Sequence, residues 1–196
     1  MENADKSLID AHLEGDREAF AELVRRHGGI VLGYLRKMTG RPELAEDLFQ
    51  ETFKRVHEKA HTLRGSRFRP WLFKIATNVA LDGIRRGSRS RMVSLDQEFG
   101  CAGNGNPRRD AAVAAADCCE PSQEAILAEQ RRQVRQAIEL LPKRQRATLV
   151  LAYYQQLSYR EVAEVMGCTI GTVKIQMYRA LRKLAQKLPD VSGGVR

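Results

Sequence analysis

Residues 157–184 read LSYREVAEVMGCTIGTVKIQMYRALRKL, and this pattern decides the fold of the C-terminal part of the chain. Ser158 and Glu161 have the spacing of a capping box, in which hydroxyl and carboxylate each satisfy a free backbone N–H. Val162, Val165 and Met166 give the short helix that follows one apolar face. Gly167 and Cys168 supply a turn, and Thr169 is placed to cap a second helix. In that helix Val173, Met177, Ala180, Leu181, Leu184 and Leu188 recur at three- and four-residue intervals and share a buried face. At about 100° per residue the opposite face carries Thr172, Ile175, Arg179 and Arg182, flanked by Lys174 and Gln176. A short helix, a glycine turn and a basic exposed helix is the layout of a helix-turn-helix, whose second helix enters the major groove of DNA. An ordinary helical hairpin with a solvated basic face is the plainer alternative.

Upstream, Ser122 is placed to cap a helix through Ile126, Leu127, Val134, Ile138 and Leu141, ending at Pro142. Lys143, Arg144 and Arg146 open another, with Leu149, Val150 and Tyr153 expected inward, and this basic cluster suits DNA phosphates. Residues 88–121 are rich in Gly, Ala, Ser, Asn and Asp without sustained periodicity, which predicts a flexible linker. Cys118 and Cys119 lie in it. Adjacent cysteines are poorly placed to hold one zinc together, and the default is free thiols, with redox sensing the alternative.

The N-terminal part is also helical in pattern. Asp5 to Glu14 predicts a short helix closed by Gly15, and Asp16 caps the next. From Phe20 to Met38 apolar residues keep helical spacing until Gly40, with Gly28-Gly29 expected to mark a kink. Pro42 starts a third helix. Its buried stripe is Ala45, Leu48, Phe49, Thr52, Phe53, Val56 and Ala60, and its outer face holds Glu46, Asp47, Gln50, Glu51 and Lys54. His57 and His61 are four apart, but with no third ligand near them they read as ordinary histidines. Residues 63–69 (LRGSRFR) read as a loop, and Pro70 as the start of a fourth helix. Leu72, Ile75, Ala76, Val79 and Gly83 face inward in this reading, with Lys74, Thr77, Asn78, Leu81 and Arg85 outward. Trp71 and Phe73 near the start serve either as stacking platforms for single-stranded nucleic acid or as core.

The whole is an all-α chain of two small helical domains, 1–87 and 122–196, joined by the linker. A composition 43% hydrophobic and 29% charged supports buried cores and solubility, and a net charge of +9 favours an anionic partner. The polar, acidic start predicts no signal peptide, and no apolar run nears the ~20 residues needed to span a membrane. With four cysteines in no disulfide-scaffold spacing, a cytoplasmic location is expected. No Gly-rich phosphate loop, catalytic triad pattern or convincing carboxylate cluster is found, so neither an enzyme nor a cofactor is expected.

Four stretches, AEDLFQETF (45–53), FRPWLFKIATNVALDGIRR (68–86), LLPKRQRATLVL (140–151) and the helix-turn-helix, together resemble the extracytoplasmic-function (ECF) branch of the bacterial sigma-seventy family in order and spacing. The resemblance implies a first domain that binds core RNA polymerase and the −10 promoter element, and a second that reads the −35 element. It also implies an anti-sigma partner, often membrane-bound, while the lack of a long apolar run predicts no direct membrane insertion of this chain. Residue by residue, it gives Asp47, Gln50, Glu51 and Lys54 to the polymerase. Arg64, Ser66, Phe68, Trp71, Lys74, Asn78 and Arg85 fall in the melting and −10 region, where the Gly65–Phe68 loop would accept an unstacked base and Asn78 would read another. It sets Thr169, Thr172, Lys174, Ile175, Gln176 and Arg179 in the −35 major groove, and the basic cluster of Lys143, Arg144 and Arg146 is read, from its charge, as holding phosphates. Family members often carry Ser-Arg where this chain has Ile175-Gln176. An apolar Ile175 suits a thymine methyl and Gln176 an adenine, so a departure from the commonest −35 motif is expected. A stand-alone helix-turn-helix regulator with redox-sensitive Cys118 and Cys119 is the competing reading, and the AEDLFQETF helix argues against it.

Overall fold

The computed structural model describes residues 2–65, 67–97 and 123–188, and every regular element among them is helical. In order these are α1 (Glu2–Leu13), α2 (Arg17–Thr39), α3 (Pro42–Lys59), a 3-10 turn (Ala60–Thr62) and α4 (Phe68–Gln97). The second group is α5 (Gln123–Glu139), α6 (Lys143–Leu149), a π-helical turn (Val150–Tyr154), α7 (Tyr159–Met166) and α8 (Ile170–Lys187). Most boundaries follow local chemistry. Asp16 caps α2 by accepting from the Glu18 and Ala19 N–H groups, and Gly40, at φ 65°, closes it. Pro42 takes the first turn of α3. The capping box of Ser158 and Glu161 forms at α7, Gly167 ends that helix in the left-handed region, and Thr169 caps α8.

α2 runs uninterrupted through Gly28-Gly29. Gly28 answers to packing rather than to a break: a Cβ there would lie 3.4 Å from the Phe49 ring of α3. α4 starts at Phe68, two residues before the expected Pro70, and continues to Gln97, ten residues into the segment read as linker. Gly87 lowers helix propensity by only about 1 kcal/mol and does not end it. The remainder of that segment, with Cys101, Cys118, Cys119 and the Ser122 cap, lies outside the described residues.

α4 is the centre of the first group, with α1, α2 and α3 against it and α7 of the second group on another side. It therefore buries far more than one stripe: Phe68, Leu72, Phe73, Ile75, Ala76, Thr77, Val79, Ala80 and Gly83 are all buried. Thr77, expected outward, is enclosed, and its hydroxyl is 2.7 Å from that of the fully buried Tyr34. Burial pushes the Tyr34 phenol well above its ordinary pKa, and the Thr77 bond acts weakly the other way. Tyr153, expected inward, is 69% exposed. The π turn is wider than an α turn, so a side chain placed by the 3.6 period rotates off the apolar face.

The buried residues of the two helical groups form one continuous core. Around it Arg67 donates to the Glu164 carboxylate at 3.0 Å, and Arg69 to the Gln155 carbonyl at 3.1 Å. The Lys37 ammonium sits 4.7 Å from the centre of the Tyr154 ring.

Candidate nucleic-acid interface

The exposed strip of α4 is narrow because the helix is packed on most sides. Lys74, Asn78 and Arg85 lie along it at helical spacing, all exposed, with Asp82 beside them. Trp71 leads into this strip, half-buried, and its indole N–H donates to Thr62 Oγ1 at 3.2 Å. It is part packing residue and part surface. Arg64, Gly65 and Arg67 are exposed, Gly65 at φ 74°. Ser66 lies outside the described residues. Phe68 corrects the expectation of an open base-accepting loop: it is fully buried against Trp71 and His27 and belongs to the helix. An aromatic ring next to Pro70 at a helix start is worth more in the core than in water.

On α3, Asp47, Gln50 and Lys54 are exposed. Glu51 is half-buried and paired with Arg55 at 2.7 Å. Asp47 and Glu51 line a depression of about 550 Å³ together with Arg41 and Arg86. His57, on the same helix, faces His12 of α1, with Nε2 of His12 3.0 Å from Nδ1 of His57. Among the described residues no three metal-ligating side chains converge.

The basic cluster of α6 divides in two. Arg144 is exposed and Lys143 half-exposed. Arg146 is turned inward and donates to the carbonyls of Met38, Glu139 and Leu141. Desolvation pulls its pKa below the ordinary arginine value, with Glu139 opposing. A guanidinium spent on three carbonyls is not a phosphate contact, which corrects the expectation for Arg146.

α8 presents the clearest surface. Lys174, Ile175 and Arg179 are exposed as expected, across from the buried Val173, Met177 and Ala180. Thr169 and Thr172 are joined, 3.0 Å between hydroxyls, and Thr169 also caps the helix, so both shape its first turn. Gln176 is half-buried at the edge of the packed face. Sequence reasoning missed Tyr178. It is 65% exposed and sits three residues after Ile175, a spacing that marks the same face.

Two family models match the chain in this order: Sigma-70 region 2 over residues 23–90, and Sigma-70, region 4 over residues 131–184. The ECF RNA polymerase sigma factor SigW of Bacillus subtilis is 31% identical over 192 residues, spanning 97% of this chain and 100% of SigW. The chain belongs to the ECF RNA polymerase sigma factors. A second relative of that family, SigE of Mycolicibacterium smegmatis, is 33% identical over 89% of this chain, which spans 64% of the length of SigE. Among solved structures, CnrH in complex with the cytosolic domain of CnrY superposes with a TM-score of 0.64 at 25% identity, covering 93% of this chain and 96% of CnrH. The sigma factor RpoE of Bartonella quintana, solved with the anti-sigma factor NepR, shares the fold at a TM-score of 0.59 and 22% identity, over 85% of this chain and 94% of RpoE. In ECF terms, α2 to α4 carry region 2, and α5 to α8 carry region 4. Among the described residues no helix is long and apolar enough to cross a membrane.

Proposed function

We propose that this chain binds core RNA polymerase through the outer face of α3, recognises and opens the −10 element with α4, and reads the −35 element with α8. It acts in the cytoplasm as a promoter-specificity subunit, with the polymerase supplying the bond-forming chemistry. The observation that carries this reading is the pairing, in one chain of the ECF family, of an exposed acidic helix with an exposed basic recognition helix. Asp47, Gln50 and Lys54 are free for a partner on the first. Lys174, Arg179 and Arg182 flank the second and suit phosphates.

An anti-sigma protein restrains it in this reading, as suggested by the anti-sigma factor NepR solved with RpoE. The docking of α7 on α4 is relevant to that restraint. Arg67 and Arg69 lie where DNA would run in the −10 region, and in the docked arrangement they face Glu164 and the Gln155 carbonyl instead.

Run-off transcription with purified core polymerase on promoters from the source genome tests the proposal. Promoter-specific transcripts that disappear when Asp47 and Glu51 are both changed to Lys support it. Sequence-specific DNA binding with no association with core polymerase would sink it and favour a stand-alone regulator.

A further inference from the structure

The surface that α8 turns outward is apolar along the centre of its N-terminal half. Gly171, Ile175 and Tyr178 stand at i, i+4 and i+7 and share one face, opposite the buried Val173, Met177 and Ala180. Ile175 is 53% and Tyr178 65% exposed. Lys174 and Arg179 flank this stripe on its two sides, and Arg182, four residues after Tyr178, continues it toward the end of the helix. Gln176, a side chain with a hydrogen-bonding code for adenine, is displaced toward the packed side and half-buried. Gly171 is not demanded by the protein's interior. A Cβ there would meet no atom closer than Thr169 Oγ1 at 3.7 Å, and its φ is not left-handed. What a side chain at that position would obstruct is an approach from outside.

We propose that Ile175 and Tyr178 determine specificity by reading thymine C5-methyl groups in the −35 major groove, with Gly171 keeping the helix backbone close to the DNA. The inference rests on α8 lying in that groove. The chemistry follows from what the stripe offers. An isoleucine has no donor or acceptor, so it discriminates among base pairs through the methyl that distinguishes thymine. The tyrosine ring adds a second apolar contact, and its hydroxyl adds one polar group at the stripe's end. Arginine-to-guanine forks, the commonest specific contact, have no donor at these positions. The cations beside the stripe reach phosphates and hold the register without reading sequence.

The test uses holoenzyme assembled from core polymerase and the full chain. A −35 element is selected from randomised duplexes, and each thymine in it is then replaced by deoxyuridine, which removes the methyl and nothing else. The expected result is a loss of about three- to five-fold in affinity at each of one or two positions, the scale of leaving one methyl-sized group unburied. Ile175→Ala is expected to lower affinity for thymine by a similar factor and to leave affinity for the deoxyuridine duplex unchanged. Gly171→Ala is expected to raise thermal stability, as alanine is the better helix former, while weakening −35 binding. A protected −35 element that tolerates deoxyuridine at every thymine would overturn the methyl readout while leaving α8 in the groove. Selection of no −35 element, with α8 unprotected, would overturn the placement of α8 as well. The deoxyuridine arm changes only the DNA, so the outcome does not depend on any variant folding.

Discussion

Arg146 of α6 donates to the carbonyl oxygen of Met38, at the end of α2 and 108 residues earlier, at 2.6 Å. The last carbonyls of a helix have no partner within it and carry the negative end of its dipole. Here a cation from region 4 fills that need for a helix of region 2. The same guanidinium also takes the carbonyls of Glu139, the last residue of α5, and Leu141, in the turn that leads to α6. One side chain therefore ties that turn to the end of α2.

Replacing Arg146 with Ala should destabilise the protein by about 2 kcal/mol, since charge-assisted hydrogen bonds are lost and partly buried carbonyls are left bare. At this chain length that corresponds to a fall in Tm of about 4–8 °C. Lysine should rescue little of it, because an ammonium lacks the planar fork. Lys143→Ala and Arg144→Ala should leave Tm within about 1 °C and instead flatten the salt dependence of DNA binding by about one counterion each. Thermal melts and a salt titration on all four variants separate the structural cation from its neighbours. Equal melts for Arg146→Ala and wild type would refute its role as a tie.

Tyr34→Phe should cost about 1 kcal/mol by removing the buried hydroxyl pair with Thr77. The ring keeps its edge-on contact with Phe73, centres 5.3 Å apart, so packing is spared. Combined with Thr77→Val, the loss should be clearly smaller than the sum of the two single changes. Denaturant unfolding of the four members of this cycle measures the coupling, and strict additivity would show that the hydroxyls do not support one another.

Two glycines should respond to substitution in opposite directions. Gly29 is exposed in mid-helix with nothing within 4 Å of a built Cβ, so Gly29→Ala should stabilise by about 0.5–1 kcal/mol. At Gly83 a Cβ would lie 2.6 Å from Leu48 Cδ2, where α4 crosses α3. Gly83→Val should destabilise by about 1–3 kcal/mol through overpacking. Melting temperatures of the pair decide it. A stabilising Gly83→Val would mean that the two helices separate freely.

Glu164→Lys reverses the charge facing Arg67 across the docked groups. Both side chains are about half exposed, so the pair is worth well under 1 kcal/mol and weakens further with salt. The docking should therefore survive, with an unchanged radius of gyration in small-angle scattering, because the continuous core carries it. An expanded particle for this variant would show instead that the rim pair holds the groups together.

Most of the helices and many of their ends were legible from residue types alone, the two ends of α4 excepted. Asp16, Pro42, Ser158 with Glu161, Gly167 and Thr169 act on backbone groups within a few residues, so their effect is written locally. The helix-turn-helix and most of the outer faces of α3 and α8 followed from periodicity, since each of those helices packs on one side, although Leu181, expected inward, is 53% exposed and Tyr178 was missed. Tertiary structure decided the rest. Thr77 is buried because α4 is enclosed by several helices, which no single-helix period reveals. Tyr153 is turned out by a π turn that breaks the period. Phe68 leaves the expected loop for the core, and Arg146 leaves the expected phosphate site for carbonyls contributed by two helical groups. A cation's sequence context shows its charge, but its partner is a distant backbone oxygen that any residue type supplies, and only the packed chain brings it within reach.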